Sequence, residues 1–290
     1  MKQKQGSPRV VGLGLCVRDE IFVVDGIGLD EPRIRYHEHV TLPGGMVANA
    51  LAVAAGEGAE AHLLSMVGAD AEGRFLASAL RRRGVRTRRL IRSETHATTT
   101  AVVLSERRTG HRRFVVPDRR AMERDAPDFD LSVLRPGTVL MIDGHFPKQL
   151  HRALGRAREL GIPVVGDFSD ARPAFVRLLP QVDYPVLPRD FVRGYGEGTV
   201  RRTLRVLHER FGCTPVVTQG EKGAKAWLDG RCVDIAPRRT RVVDTTGAGD
   251  AFHGAFAAAL AQGKSVPAAL RRASRRAAEA CRHLGGCPPL

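Results

Sequence analysis

The sequence of 290 residues contains few aromatic residues, only 5% of the total, and no motif of a DNA- or RNA-binding module. A formal net charge of +15 nevertheless raises the question of a nucleic-acid partner. The excess is mostly arginine along predicted helices, without the interleaved aromatic side chains that stack on bases. We therefore interpret it as a solvated basic surface, with attraction of anionic nucleotides or sugar phosphates as the alternative, and disfavour nucleic-acid binding.

Hydrophobic runs of membrane-spanning length are missing as well. The apolar residues 10–17, which follow Lys2 and Lys4, are too few and too interrupted by glycine for a signal peptide or a membrane span. We expect a first buried strand there and no membrane partner. The five cysteines are odd in number and lack paired metal-ligand spacing, which predicts reduced thiols and a cytoplasmic location. A disulfide between Cys281 and Cys287 is the alternative, although nothing in the sequence requires it.

Two glycine-rich stretches lack the residues that would complete common nucleotide motifs. Gly12 and Gly14 would begin a dinucleotide-binding fingerprint, but Val17 stands where the third glycine belongs and a strand-like pattern follows. Residues 218–223 lack the Lys-Ser/Thr pair of a Walker A loop. The sequence thus disfavours NAD-dependent oxidoreductases and P-loop nucleoside triphosphatases.

Strand-like and helix-like segments alternate through the middle of the chain. Helices with one apolar face separate strands predicted at 61–67, 138–143, 162–168 and 215–218. This alternation predicts a single α/β domain over 1–290, with a mainly parallel sheet and ligands at the carboxyl ends of its strands. Asp143 and Asp167 fall at two such ends, although each could be a solvated acid.

Other local patterns are also informative. Asp70 is expected to cap a helix, Asp229-Gly230 predicts the turn of a hairpin between 224–228 and 231–235, and a last helix is expected around 270–284. Two segments, about 20–42 and 95–117, are rich in β-forming and turn residues. They are either surface hairpins without a role or parts of a small second sheet.

The run 243–256 joins a β-rich segment to an alanine-rich helix through glycines. Backbone N–H groups at a helix N-terminus are unpaired, so Gly247, Ala248 and Gly249 can donate to a phosphoryl group. Asp250, in the first turn, can accept the proton of an attacking hydroxyl, and the helix dipole predicts that it is ionised. The alternative is a structural turn with an acid near a helix start.

Residues 44–49 enter another alanine-rich helix. The pair Gly44-Gly45 permits close backbone approach, and the amide of Asn49 can both donate to and accept from hydroxyl groups. An asparagine in a first helical turn is otherwise a helix cap.

Taken together, Asp-Thr-Thr-Gly-Ala-Gly-Asp-Ala-Phe at 244–252 and Gly-Gly…Asn at 44–49 resemble the signatures of the ribokinase family of carbohydrate and nucleoside kinases. The resemblance extends from Gly12 to about Gly286. It implies a ribokinase-like three-layer α/β/α core with a mainly parallel sheet. It also implies that the segments 20–42 and 95–117 form a small β-sheet lid over the sugar.

The resemblance implies a role for individual residues. Asp250 would be the catalytic base, and Gly247, Ala248 and Gly249 the anion hole. Sugar contacts would come from Asp19 at the end of the first strand and from Gly44, Gly45, Asn49, Asp143 and His145. The nucleotide would lie along Thr218, Gly220, Gly223, Ala277 and Ala280. Mg²⁺ would lie near Asp167 and Asp190, and a monovalent cation such as K⁺ near Asp244 and Thr246.

Two departures from the family pattern bear on the substrate and the metal. Residues 188–191, Pro-Arg-Asp-Phe, stand where many members carry an Asn-x-x-Glu motif, and Asp190 would substitute for it only in part. His145, a lone histidine in a loop, could instead be a bystander. Met46-Val47 replace the Lys-Gly of ribokinase. The strand end at 15–19, the run 243–253 and the altered segment 188–191 look closest to ketohexokinase and sulfofructose kinase.

The resemblance therefore implies an ATP-dependent kinase that phosphorylates a primary hydroxyl of a ketose, sulfosugar or pentose. ATP and Mg²⁺ would be its cofactors, and it would form a homodimer through the lid. Two alternatives stay open: a nucleoside kinase of the same family, and a non-catalytic regulator that binds a sugar or nucleotide.

Overall fold

Apolar segments with almost no exposed residues build one large sheet in the computed structural model, which describes residues 7–28, 33–109 and 111–282. The strands in chain order are β1 (Arg9–Leu13), β2 (Val17–Val24), β3 (Tyr36–Gly44), β4 (Glu60–Gly68), β5 (Leu90–Ser93), β6 (Thr100–Glu106), β7 (Arg112–Val115), β8 (Thr138–Ile142), β9 (Val164–Asp167), β10 (Tyr184–Pro188), β11 (Val216–Thr218), β12 (Ala224–Leu228) and β13 (Arg231–Ile235). The large sheet has the order β13-β12-β11-β10-β9-β8-β1-β4-β5.

Pairing in this sheet is parallel from β5 to β11 and antiparallel only at β12 and β13. Every residue of β8 is buried, the pattern of a strand covered on both faces. At the antiparallel edge, Asp229 and Gly230 have φ of 49° and 73°, and two positive φ values are typical of a type I′ hairpin turn. The predicted hairpin and the mainly parallel sheet are confirmed.

Helices cover both faces of the large sheet. They are α1 (Met46–Gly56), α2 (Ala71–Arg82), α3 (Arg120–Asp125), α4 (Pro147–Leu160), α5 (Pro173–Val176), α6 (Arg189–Tyr195), α7 (Val200–Phe211), α8 (Ala248–Ala261) and α9 (Val266–Ala280). Apolar side chains of α1, α2, α8 and α9 share one buried cluster, and those of α4, α6 and α7 share another. This three-layer α/β/α arrangement confirms the predicted fold class.

Local signals explain where several helices begin and how they pack. The Asp70 side chain accepts a hydrogen bond from the Gly73 N–H and caps α2, as predicted. At Gly254 a Cβ atom would lie 2.1 Å from the carbonyl oxygen of Ala50, so α1 and α8 touch through glycine. The last helix ends at Ala280, and Leu284, which we expected within it, lies outside the described residues, as does Cys287.

The second sheet has the order β3-β2-β6-β7 and draws its strands from the segments predicted to form the lid. Asp19 lies on β2 of this sheet and not at the end of the first strand, so that part of the prediction is wrong. The chain leaves the large sheet after Leu13, and β2 pairs with β3 and β6 instead. Apolar residues that continue across Gly14 concealed this change of sheet.

The order of the large sheet creates a crevice at its centre. Strand β1 lies between β4 and β8, and the chain continues from β1 toward one edge and from β8 toward the other. Connections that diverge in this way leave a space beyond the carboxyl ends of the two strands, where ligands bind in α/β folds. Within the described residues, no helix is long and apolar enough to cross a membrane.

Candidate active site

Asp143 closes the bottom of the central crevice. It follows β8 directly, is completely buried, and its Oδ2 accepts a hydrogen bond of 2.8 Å from the backbone N–H of Leu15, just after β1. Gly14 leaves room for this contact, since a Cβ there would lie 2.3 Å from Oδ2 of Asp143. Asp143 therefore holds the ends of β1 and β8 together, as a strand-end acid rather than a solvated one.

Asp250 lies in the first turn of α8, after Gly247, whose φ of 71° makes it the left-handed residue at the helix start. The Asn49 side-chain amide donates a hydrogen bond of 2.9 Å to Oδ2 of Asp250. Asn49 is 3% exposed, and its Oδ1 is buried without a hydrogen-bond partner in the described part of the chain. A buried carbonyl oxygen without a donor is costly, so this atom is suited to a ligand hydroxyl.

Asp250 belongs to a cluster of carboxyl groups. Burial raises the pKa of Asp250 well above its ordinary value, and the negative charges of Asp167, Asp19 and Asp143 raise it further, while the Asn49 hydrogen bond opposes them. Burial and the neighbouring carboxylates thus oppose the α8 dipole, which by itself favours the ionised form of Asp250. A cation or a positively charged ligand complex would favour the ionised form.

His253 fixes this turn of α8 against the sheet. Its Nδ1 lies 2.7 Å from the carbonyl oxygen of Gly249, and its Nε2 lies 3.1 Å from that of Val186 on β10. Oδ2 of Asp167, at the end of β9, is 3.4 Å from Nδ1. His253 thus links the glycine turn 247–249 to β9 and β10. Its position three residues after Asp250 is the sequence signal that could have indicated this role.

Asp19 approaches the site from the small sheet. A Cβ at Gly44 would lie 2.1 Å from Oδ2 of Asp19, and Gly45 adopts a φ of 99° against the carbonyl oxygen of Leu15. The glycine pair therefore permits the close packing of Asp19 at the start of α1. Burial raises the pKa of Asp19 to about 7.

His145 is held beside Asp143 by a residue that the sequence patterns did not indicate. Its Nδ1 lies 2.8 Å from Oε1 of Glu123, on α3. Burial alone would lower the pKa of His145, but Asp143 and Glu123 outweigh it and raise the pKa. Glu123 is one acid in a charged segment and gives no periodic signal. His145 is thus part of a buried charge network next to the crevice.

A cleft of about 900 Å³ lies at the N-terminus of α8. It is lined by Ala248 and Gly249 and by four of the predicted nucleotide residues, Thr218, Gly220, Gly223 and Ala277. A Cβ at Gly249 would meet nothing within 4 Å, so this glycine leaves its space to the cleft. The volume is within the usual range of small-molecule sites, about 300–1,000 Å³.

The lining differs from the prediction at one residue of α9. Ala278 and Cys281 line the cleft, whereas Ala280 packs against Val53, Ala251 and Ala255. The helical rotation of 100° per residue places 277, 278 and 281 on one face and turns 280 toward α1 and α8. Ala280 therefore supports the helix interface.

The predicted Mg²⁺ residues lie in different surroundings. Asp167 is 7% exposed and close enough to Asp250 to affect its pKa. Asp190 is exposed and forms an ion pair with Arg193. No three acidic, histidine or cysteine side chains of the described ranges are grouped to hold a metal. Mg²⁺ usually binds through one or two carboxylates plus phosphates, and the unbalanced carboxylates Asp167 and Asp250 fit that chemistry.

Asp244 and Thr246 lie together in the loop before α8. Oδ1 of Asp244 accepts hydrogen bonds from the Thr246 N–H at 2.9 Å and from its hydroxyl at 2.6 Å. The same oxygen is 2.6 Å from Nη2 of Arg112, on β7 of the small sheet. Sequence reasoning missed Arg112 because it is one of 46 basic residues and lies in an arginine-rich hairpin.

Fold and site together are those of an α/β phosphotransferase, because an acid at a helix N-terminus lies between a cleft of about 900 Å³ and a group of buried amide and carboxyl side chains. The sequence matches the pfkB family of carbohydrate kinases over residues 7–290. The chain therefore belongs to this family, whose members transfer a phosphoryl group to an alcohol.

Similar proteins include the ribokinase of Bacillus subtilis, 29% identical over 272 residues that cover 91% of this chain and 90% of that protein. Ketohexokinase of Mus musculus is 26% identical over 294 residues, which cover 97% of each chain. A solved structure of Arabidopsis thaliana ribokinase, complexed with ribose and ATP, is similar in fold, with a TM-score of 0.81 and 24% identity over 97% of this chain and 94% of that one. These findings confirm the ribokinase-like fold and the kinase class.

Proposed function

We propose that this kinase transfers the γ-phosphate of ATP to a primary hydroxyl of a sugar, with Asp250 as the base. One observation carries the proposal. The turn that bears Asp250 lines the nucleotide-sized cleft through Ala248 and Gly249, while the Asp250 side chain faces Asn49 and the carboxylate cluster. A hydroxyl bound near Asn49 would therefore lie between the base and the terminal phosphate.

The residues of this chain act mainly by positioning and by electrostatics. Asn49 orients the Asp250 carboxylate, and its free Oδ1 accepts a hydrogen bond from the sugar. The backbone N–H groups of 247–249 face the charge that develops on the transferred phosphoryl group. Mg²⁺, when bound near Asp167, supplies charge neutralisation. Asp250 needs only to accept the proton as the hydroxyl attacks, typically a contribution of about 10²–10⁴-fold.

The sugar pocket is expected between the two sheets. Asp19 from the small sheet presents a carboxyl group that can accept hydrogen bonds from sugar hydroxyls, while the buried Asp143, which accepts from the N–H groups of Leu15 and His145, supports the pocket from the large sheet. The small sheet would act as a lid that excludes water from the phosphoryl transfer. The similarity to a ribokinase and to a ketohexokinase supports a pentose or a ketose as substrate. A sulfosugar is a third proposed substrate.

A coupled ADP-release assay over ketoses, pentoses, sulfosugars and nucleosides tests the proposal directly. We expect saturable turnover with at least one sugar and much lower kcat/KM with nucleosides. Turnover only with nucleosides would favour the nucleoside-kinase alternative. Absence of turnover with any acceptor, combined with retained ATP binding, would favour the non-catalytic regulator, to which the exposed, ion-paired Asp190 lends some support.

We also propose a homodimer through the outer face of the lid and a cytoplasmic location. Tyr36 and Val115 of the small sheet are each 59% exposed, and apolar side chains exposed on a sheet are typical of a contact surface. Strands β3 and β7 are edge strands of this sheet, which leaves their outer backbone groups available for pairing.

A further inference from the structure

Arg112 connects the small sheet to the loop that begins the anion hole. It lies on β7, and its Nη2 is 2.6 Å from Oδ1 of Asp244 and 3.2 Å from the hydroxyl of Thr245. The side chains of Arg112 and Asp244 are only 17% and 9% exposed. The contact joins residues 132 positions apart and is a largely buried, charge-assisted hydrogen bond.

The loop around Asp244 is tied down at several points. Its Oδ1 receives the N–H and the hydroxyl of Thr246 in addition to Arg112. The N–H groups of Val243 and Asp244 both donate to the carbonyl oxygen of Cys281, at the end of α9. Gly247 and Asp250 follow within six residues of Asp244, so the position of this carboxylate affects the anion hole directly.

A monovalent cation at this place would neutralise the Asp244 carboxylate next to a loop that must bind phosphate. The guanidinium of Arg112 already supplies a positive charge there, in contact with the same oxygen. A second cation would be repelled by it, and Oδ1 would have to exchange one of its three donors for the ion. Asp244 and Thr246 as arranged therefore do not fit a monovalent cation.

We propose that Arg112 takes the place of the monovalent cation, so that the lid itself supplies the charge that orders the anion-hole loop. The kinase then works without K⁺, and the loop is fully ordered only while the small sheet is in contact with it. Arg112 is a positioning residue in this scheme, since it acts through Asp244. The inference rests on the proposed function for its kinetic test but not for its thermal-unfolding test.

The experiment compares the wild-type protein, Arg112→Met and Arg113→Met. Met keeps the aliphatic length of arginine without the charge, and Arg113 is the exposed neighbour on β7, with no ion pair in the described part of the chain. Thermal unfolding without nucleotide is measured in potassium chloride and in tetramethylammonium chloride at equal ionic strength. ADP release is measured in the same two salts.

We expect the wild-type protein and Arg113→Met to give the same melting temperature and rate in both salts. Arg112→Met should lose about tenfold or more in kcat/KM, the effect of one hydrogen bond to a charged group, and should recover part of it and gain melting temperature in K⁺. Arg112→Lys, which keeps the charge, should stay insensitive to K⁺.

A wild-type protein that K⁺ stabilises and activates would overturn the proposal, and so would an Arg112→Met protein that matches the wild type in both salts. The wild-type melting temperatures decide the question even if Arg112→Met fails to fold. They also decide it if no sugar is turned over, so failure of the proposed function and failure of this inference are distinguishable.

Discussion

Strand β8 of the large sheet is buried at every residue, whereas β3 of the small sheet is exposed or partly exposed over most of its length. Each sheet supplies charged groups to the site. Asp143 and Asp167 follow or end buried parallel strands, while Asp19 and Arg112 come from the small sheet. Asp143 and Asp167 are thus fixed in the core, whereas Asp19 and Arg112 are carried on a more exposed element.

The difference predicts which substitutions affect chemistry, folding and substrate binding. Core positions should chiefly change turnover or stability, whereas Asp19 and Val115 of the small sheet should chiefly change substrate affinity, pH dependence or assembly. The following substitutions test this division.

Asp250→Asn should have the largest effect. The amide cannot accept the hydroxyl proton, so kcat should fall by about 10²–10⁴-fold, while ATP affinity measured by titration calorimetry should stay close to wild type. Near-normal turnover would show that the base is another group.

Gly254→Ala tests the core at the contact between α1 and α8. The added Cβ would lie 2.1 Å from a backbone oxygen that cannot move freely, so the free energy of unfolding should fall by about 1–3 kcal/mol in urea titrations. Gly155→Ala on α4 is the matched control, since its Cβ meets nothing within 4 Å and alanine favours the helix. Equal stability of the two variants would contradict the tight contact between the helices.

Asp19→Asn tests the small sheet through pH. The pKa of Asp19 is about 7, so its carboxylate forms as the pH rises through that value. Since a carboxylate accepts hydrogen bonds from hydroxyls more strongly than an acid does, kcat/KM for the sugar should rise over the same range. The substitution should remove this rise and increase KM more than it lowers kcat. A pH profile unchanged by the substitution would place the titrating group elsewhere.

The same substitution has an expected effect on stability. Burial raises the native pKa of Asp19 above the ordinary value of 3.8, so ionisation costs stability as the pH rises from that value through about 7. Asp19→Asn should therefore be more stable, relative to wild type, on the alkaline side of this range than on the acidic side. Melting temperatures across the range provide the measurement.

Val115→Asp should have the smallest effect on catalysis and act on assembly instead. Val115 lies an odd number of residues from Arg112 on β7, so the two point to opposite faces and Val115 faces away from the site. The charge should shift the protein toward monomers in analytical ultracentrifugation. Val243→Asp introduces the same charge at an equally exposed valine outside the small sheet and should leave the mass unchanged. A monomeric wild-type protein would rule out the dimer.

The large sheet was more predictable from sequence than the small one for a physical reason. Strands covered on both faces are nearly continuous apolar segments, as at β8, and the Asp229-Gly230 turn has few alternatives. Strand β2 is only partly buried and follows β1 after a short apolar connection, so its change of sheet left no trace in the pattern. Asp19 was therefore identified as a site residue but placed on the wrong element.

The electrostatics of the site could not be read from sequence. Burial raises the pKa of Asp250, and so do the charges of Asp167, Asp19 and Asp143, which come from three distant segments. The same holds for Arg112, whose importance comes from one contact across 132 positions.

By itself the sequence determined the α/β class, the glycine-rich helix start that bears Asp250 and the kinase family, because each depends on short-range patterns of burial, turn chemistry and spacing. Only the tertiary structure decided that Asn49 holds Asp250, that four carboxyl groups share one crevice and that the small sheet reaches Asp244. Charges interact through space rather than along the chain, so their balance exists only once the two sheets have come together.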